Sequence, residues 1–231
     1  MILLALDSAT SVYSAALCDG AGRMLGYRRG DSAPDQADGL VRLIDTVLRE
    51  AGLDYDAIDV IAVNHGPGSF TGIRVGVAAA RALALAAERP VIPVNSLEVL
   101  AAVLGPQSAG TIVAALDARR AQVFVQMFAH DLVALSEPRA LAPQNVMLAG
   151  LQAPIRLAGN GAPLVCAALP DDLPVLQESV ETDALGVARR AIARLARGER
   201  PVPGHMVQPL YLRPPDARLP QPPRVRATLG T

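Results

Sequence analysis

An α/β protein built from two tandem halves is predicted by three features of the sequence. Strand-like apolar runs come first and then alternate with helical patterns, which points to mixed sheets flanked by helices. The unit strand, acid, short turn, strand occurs twice: Ala5-Leu6-Asp7 followed by Val12 to Leu17, and Ala115-Leu116-Asp117 followed by Gln122 to Phe128. The chain has 231 residues, 51% hydrophobic and 19% charged, enough to bury a real core in one large domain or two small ones.

Ile2 to Asp7 reads as a first strand, Ser8 to Ser11 as a turn, and Val12 to Cys18 as a second strand. Asp19-Gly20 and Gly22 supply a hairpin turn into a third strand, Arg23 to Arg29. A loop from Asp31 to Asp35 leads to a helix from about Asp35 to Ala51. Ala37, Leu40, Val41, Ile44, Val47, Leu48 and Ala51 form its apolar stripe, and Gly52 closes it. Ile58 to Val63 is a buried strand. The loop Asn64 to Phe70 follows, then a helix opened by Thr71 or Gly72 and running to about Glu88. Val91 to Val94 is a strand, Asn95-Ser96 caps a helix to Leu104, and Gly105 to Gly110 reads as a hinge.

The pattern then restarts at Thr111 to Asp117, with a turn at Ala118 to Ala121. Ile155 to Leu157, Leu164 to Leu169 and Asp183 to Arg197 supply a strand and two helices. The expected organisation is an N-terminal lobe over 1–104, a smaller lobe over 105–200 and a Pro-rich extended tail over 201–231. Two such halves in tandem predict the actin-like ATPase (sugar kinase and heat-shock ATPase) fold, in which each lobe is RNase H-like.

Composition removes several function classes. All 21 basic residues are arginine, which excludes a lysine nucleophile, a Schiff base and a P-loop lysine. The formal net charge is -1 and aromatics are 3%, a poor match to a protein that grips nucleic acid alone. The pairs Arg28-Arg29, Arg119-Arg120 and Arg189-Arg190 read as solvated surface. Cys18 and Cys166 are far apart in sequence, without metal-ligand spacing, and read as small buried hydrophobes. No run is long enough for a membrane span, and the N-terminus lacks a signal-peptide pattern, so a cytoplasmic protein is expected.

Two segments carry candidate chemistry. Asp7, Ser8, Thr10 and Ser11 form a turn whose amides and hydroxyls can cradle an anion, although Ser8-Ala9 is less open than a glycine turn. The competing reading is an acid that ends a strand and caps its turn. Gly66-Pro67-Gly68-Ser69-Phe70-Thr71-Gly72-Ile73-Arg74 is a strand-to-helix junction whose free amides and dipole favour an anion. Thr71 is a candidate N-cap or ligand contact. Arg74 lies on the first helical turn, where the dipole disfavours a cation, and so calls for an anionic partner. Gly72, Gly76, Ala80 and Ala84 repeat every four residues along a nearly uncharged helix. That spacing serves close packing on the chain's own sheet or contact with another subunit.

Taken together, Ala5 to Thr10, the Gly66 to Gly76 loop, Ala115 to Arg120 and Pro209-Leu210-Tyr211-Leu212-Arg213 resemble the TsaB (YeaZ) family in order and spacing, across the whole chain. The resemblance implies a two-lobed actin-like fold. It also implies partnership with the threonylcarbamoyl transferase TsaD and the ATPase TsaE, in making threonylcarbamoyladenosine on tRNA. The paralogue TsaD reads Asn-His-X-Glu-Gly-His where this chain has Asn95-Ser96-Leu97-Glu98-Val99-Leu100, and those histidines hold a metal. Ser96 and Leu100 cannot replace two imidazoles.

A non-catalytic scaffold subunit is therefore expected, with no catalytic or metal-binding residue of its own. Tight cofactor binding is not expected; ATP or ADP at a subunit interface would use Asp7, Ser8, Thr10, Gly66, Gly68, Ser69, Thr71, Gly72 and Arg74. The expected partner surface is the helix pair bearing Leu40, Leu43, Val47, Gly72, Gly76, Ala80 and Ala84. It would bind TsaD, or a second copy of the chain when alone, and meet tRNA only through the complex. The alternatives are a stand-alone small-molecule kinase of the same fold and a metallopeptidase. The serines at 69 and 96 show no paired His and Asp for the latter.

Overall fold

The computed structural model describes residues 1–10, 12–31, 36–170 and 174–213. Ser11, residues 32–35, where a loop is expected, residues 171–173 and the expected Pro-rich tail beyond 213 lie outside the described residues. Two five-stranded mixed sheets dominate, and they share one topology. The first has β1 (Ile2–Asp7), β2 (Val12–Asp19), β3 (Met24–Asp31), β4 (Val60–Asn64) and β5 (Val91–Val94) in the order β3-β2-β1-β4-β5. The second has β6 (Thr111–Arg119), β7 (Gln122–Ala129), β8 (Arg139–Leu141), β9 (Ile155–Ala158) and β10 (Val175–Glu178) in the order β10-β9-β6-β7-β8. In both, an antiparallel meander leads into parallel strands beside the first strand. The repeated strand–acid–turn unit is thus the start of a repeated sheet.

Alternation along β1 and β4 splits their side chains between two cores. Leu4, Leu6, Ile61 and Val63 face α1 (Gln36–Glu50) and α2 (Phe70–Ala86) on the outer side. Leu3, Ala5, Val60 and Ala62 face α5 (Ala184–Ala196) on the inner side. The second sheet takes α3 (Ser96–Leu104) on its inner face through Leu97, Leu100 and Ala101, and the short α4 (Ala162–Cys166) on the other. The crossover helices are therefore exchanged. All five strands of the first sheet lie within 1–104, but α5 comes from the later half, and α3 of the first half covers the second sheet.

The exchanged helices meet each other. Gly186 of α5 sits so close to Val99 and Val103 of α3 that an added Cβ would lie 2.8 and 2.9 Å from their methyl groups. Arg190 donates to Glu98 at 2.7 Å and is buried, with Arg194 joining the same carboxylate. This corrects the surface reading of Arg189-Arg190: Arg190 is an interior ion-pair residue on the seam of the two halves.

The segment over 201–213 is an extended strap. Val202 and Val91 exchange two backbone hydrogen bonds, Val207 is buried in the outer core, and Leu210 N–H donates to the His65 carbonyl at 2.8 Å. Arg213 then reaches across to donate to the Ala118 carbonyl of the second half at 3.0 Å. The strap thus runs along α2 and ties it to both lobes.

Candidate functional site

The turn after β1 and the glycine loop before α2 meet at the C-terminal ends of β1 and β4, where open parallel sheets place their ligand sites. Asp7 is 1% exposed. Its Oδ1 accepts from the Ala9 amide at 2.9 Å and from Asn64 Nδ2 at 3.1 Å, while Oδ2 has no partner among the described residues. Burial is the dominant influence and pushes its pKa up to about 6, with the charge of Asp183 adding a little; the Ala9 amide, Asn64 and the Thr182 hydroxyl offset it only in part. Asn64 Oδ1 accepts from the Gly66 amide at 3.1 Å and from Ser96 Oγ at 2.8 Å. A buried chain of polar contacts, Asp7–Asn64–Ser96, thus joins three elements.

The glycine loop packs directly on the turn. Ser69 N–H donates to the Ala9 carbonyl at 2.7 Å, and a Cβ on Gly68 would lie 2.1 Å from that oxygen. Only glycine fits there. Ser8 Oγ donates to the Gly72 carbonyl at 2.8 Å, and Gly76 leaves room for that hydroxyl. Thr10 Oγ1 lies 3.3 Å from Thr182 Oγ1, just before α5. Asp7, Ser8, Thr10, Gly66, Gly68 and Gly72 are therefore brought together.

The helix start differs from expectation. Ser69, not Thr71, is the N-cap of α2, with its hydroxyl accepting from the Gly72 amide at 3.3 Å. Thr71 and Arg74 stand apart from the turn, exposed on the outer side. Arg74 lies flat on Phe70, 3.6 Å from the ring centroid, and its Nε donates to the Tyr211 hydroxyl at 2.8 Å. Phe70 and Tyr211 stack at 5.5 Å. The strap thus supplies one wall of an exposed arginine–aromatic cluster, which the sequence signals only as an isolated Tyr in a Pro-rich stretch.

The expected partner-facing residues are turned inward. Leu40, Val47, Gly72, Gly76, Ala80 and Ala84 are buried, and Leu43 is half-buried against the same core. The small-residue stripe of α2 serves its own sheet and strap: Gly76 meets Ser8, and Gly204 presses on Ala84. Close packing within the chain has taken that face. The exposed face of the helix pair is a different one. A groove of about 560 Å³ runs between α1 and α2, lined by Ala37, Val41, Phe70, Arg74, Ala78 and Ala82, among others.

Ser96 and Leu100 are both interior, Ser96 bonded to Asn64 and Leu100 in the core under the second sheet. Among the described residues no three His, Cys, Asp or Glu side chains gather where they could hold a metal ion. No described helix is long and apolar enough to cross a membrane.

The second acid stands in an equivalent frame. Asp117 N–H donates to Asn160 Oδ1 at 2.9 Å, and Asp117 Oδ1 accepts from the Arg119 amide at 2.7 Å. Asp117 and Asn160 in the second lobe thus parallel Asp7 and Asn64 in the first, but they are more exposed.

Comparison with known proteins places this architecture. The family model described as TsaD, tRNA N6-adenosine threonylcarbamoyltransferase, matches residues 33–167. The tRNA threonylcarbamoyladenosine biosynthesis protein TsaB of Haemophilus influenzae is 34% identical over 140 residues, 58% of this chain and 56% of that one. The chain thus matches just over half the length of that curated relative. The solved structure titled YeaZ from Pseudomonas aeruginosa superposes with a TM-score of 0.80 at 31% identity, covering 91% of this chain and 99% of that chain. The ADPNP-bound activator of the 2-hydroxyisocaproyl-CoA dehydratase from Clostridium difficile, at 11% identity and a TM-score of 0.51, shares the fold alone. The actin-like two-sheet architecture, the near full-length match to YeaZ, and Ser96 and Leu100 where the transferase motif has histidines converge: the chain belongs to the TsaB (YeaZ) family.

Proposed function

We propose that this chain is a non-catalytic scaffold and activating subunit in the synthesis of threonylcarbamoyladenosine on tRNA. It docks the transferase TsaD and, through the resulting complex, the ATPase TsaE and the tRNA. The observation that carries this reading is the exposed face of α1 and α2. Val41 and Phe70 on the groove and Leu85 on the adjoining ridge are 49%, 49% and 83% exposed, and between its two arginines α2 lines the groove with Val75, Ala78 and Ala79. Large apolar side chains gathered on one helix pair mark an interaction surface. The Asp7–Asn64–Ser96 chain supports the non-catalytic part, because the position of a metal-binding imidazole holds a hydroxyl spent on Asn64. Adenine nucleotide, in this reading, belongs to the junction with the partners. The turn of Ser8 to Thr10 is packed under Gly68 and Ser69, so the chain alone binds ATP or ADP weakly.

Reconstitution with the transferase and ATPase of the same genome tests this. Modified tRNA should form with all components, vanish when this chain is omitted, and not form with this chain alone. Modification that proceeds at full rate without it would refute the proposal.

A further inference from the structure

The exposed ridge of α2 carries Arg74, Ala78, Arg81 and Leu85 at helical spacings of four, three and four. On one side it borders the groove shared with α1. On the other it borders a cleft of about 700 Å³ against the strap, lined by Arg81, Leu85, Glu88, Pro203 and His205, among others. Among the described residues neither arginine has a carboxylate partner, and α2 contains no acid at all. Asp38 lies on α1, and Glu88, two turns beyond Arg81, lines the same cleft as Arg81. Neither is bonded to the ridge. Arg74 is moreover held in place, stacked on Phe70 and bonded to Tyr211, so its charge is presented in one position.

These two cations, seven residues apart and the first of them held in place, have backbone positions about 10 Å from each other along the helix. Inside an apolar interface each would be a buried charge that must be paired. A second copy of this chain cannot pair them by aligning its own ridge. Parallel alignment sets Arg74 against Arg74 and Arg81 against Arg81, and antiparallel alignment sets Arg74 against Arg81. Like charges facing each other penalise the wrong partner.

We propose that Arg74 and Arg81 select the occupant of this face: a partner helical surface that is apolar and carries two carboxylates about two turns apart, in preference to a second copy of this chain. The inference rests on the docking reading above and adds the charge code to it. The partner inserts its apolar stripe along Ala78 and Ala82 and lays one acid at each arginine. The arginines thereby act as specificity residues, opposing self-association as well as favouring the heterocomplex.

The test uses the full chain, with the transferase of the same genome as the probe. Affinity for the transferase is measured by calorimetry, and self-association by sedimentation equilibrium, each at low and high salt. The double variant R74Q/R81Q should bind the transferase about tenfold more weakly and self-associate more tightly than wild type. For the wild type, added salt should weaken the heterocomplex and strengthen self-association, since screening acts on attraction and repulsion alike. Ala78→Glu, with thermal melting as the check on folding, controls for the face itself. If Ala78→Glu abolishes transferase binding while R74Q/R81Q binds like wild type, the charge code is wrong and the docking reading stands. If a folded Ala78→Glu variant binds the transferase normally, the docking face is wrong and the charge code falls with it.

Discussion

Ser96 Oγ donates to Asn64 Oδ1 across 2.8 Å, and both residues are fully buried. The bond fixes the start of α3 to the end of β4, and Asn64 passes the connection on to Asp7 and Gly66. Ser96→Ala leaves Asn64 Oδ1 with the Gly66 amide only. It should cost about 1–2 kcal/mol of unfolding free energy in urea titration. A variant as stable as wild type would show that the hydroxyl contributes nothing to the junction.

Asp7 gives a pH signature. Burial disfavours its ionised form, so the folded chain holds the proton more tightly than the unfolded chain does. The stabilisation from that proton is whole below about pH 3.8 and fades as pH rises through about 6. Above that, the fold carries the cost of a buried carboxylate, up to about 3 kcal/mol for a rise of this size. Asp7→Asn keeps an acceptor for Ala9 and Asn64 and removes the charge. Denaturant unfolding should find the variant more stable than wild type above about pH 7, with the gain gone near pH 4. An equal difference at both ends of that range would contradict the assignment.

The contact of Gly68 with Ala9 predicts a sharp contrast between two glycines. Gly68→Ala places a Cβ 2.1 Å from a backbone oxygen, so the loop must move, at a cost of about 3 kcal/mol or more. Gly22 has open space around it but a φ of +85°, and Gly22→Ala should cost only about 1 kcal/mol. Thermal unfolding of the pair checks this; equal losses would mean that backbone conformation and not contact decides both.

Val207 anchors the strap in the outer core beside the α2 residues Val77, Ala80 and Ala84. Val207→Ala should cost about 2 kcal/mol through lost burial and a small cavity. It should also loosen the Tyr211 wall of the arginine cluster, which tyrosine fluorescence can follow. Unchanged stability would place the strap outside the cooperative unit.

Much of this architecture is legible in the sequence, for reasons that also mark where legibility stops. The Ala-Leu-Asp repeat announces the duplicated sheet, because each copy opens with the same strand and acid. Alternation and 3.6-residue periodicity give β2, β7, α1 and α2. Arg139–Leu141 and Val175–Glu178 are too short to show a period, and both strands escape notice. Val202 stands between two prolines and Val207 in the short Met206-Val207 pair, so nothing local reveals that they pin a strap. The stripe Gly72, Gly76, Ala80 and Ala84 announces close approach but not by whom. Gly204 and Ser8, distant in sequence, take up that face. Arg190 looks like a surface residue because its partner Glu98 comes from the other half. The sequence points to Thr71 as the cap of α2, whereas Ser69, whose amide is tied to the distant Ala9 carbonyl, takes that place.

Calorimetric titration of the chain with the transferase of the same genome, comparing wild type with Val41→Glu, tests the docking role most directly. Val41 is half exposed on the bare face of α1, so the variant should fold and melt like wild type. A glutamate there would be buried without a partner in the complex and should weaken binding by about 100-fold or more. A Val41→Glu chain that folds normally and binds the transferase with wild-type affinity would contradict the assignment of this face and the scaffold role built on it.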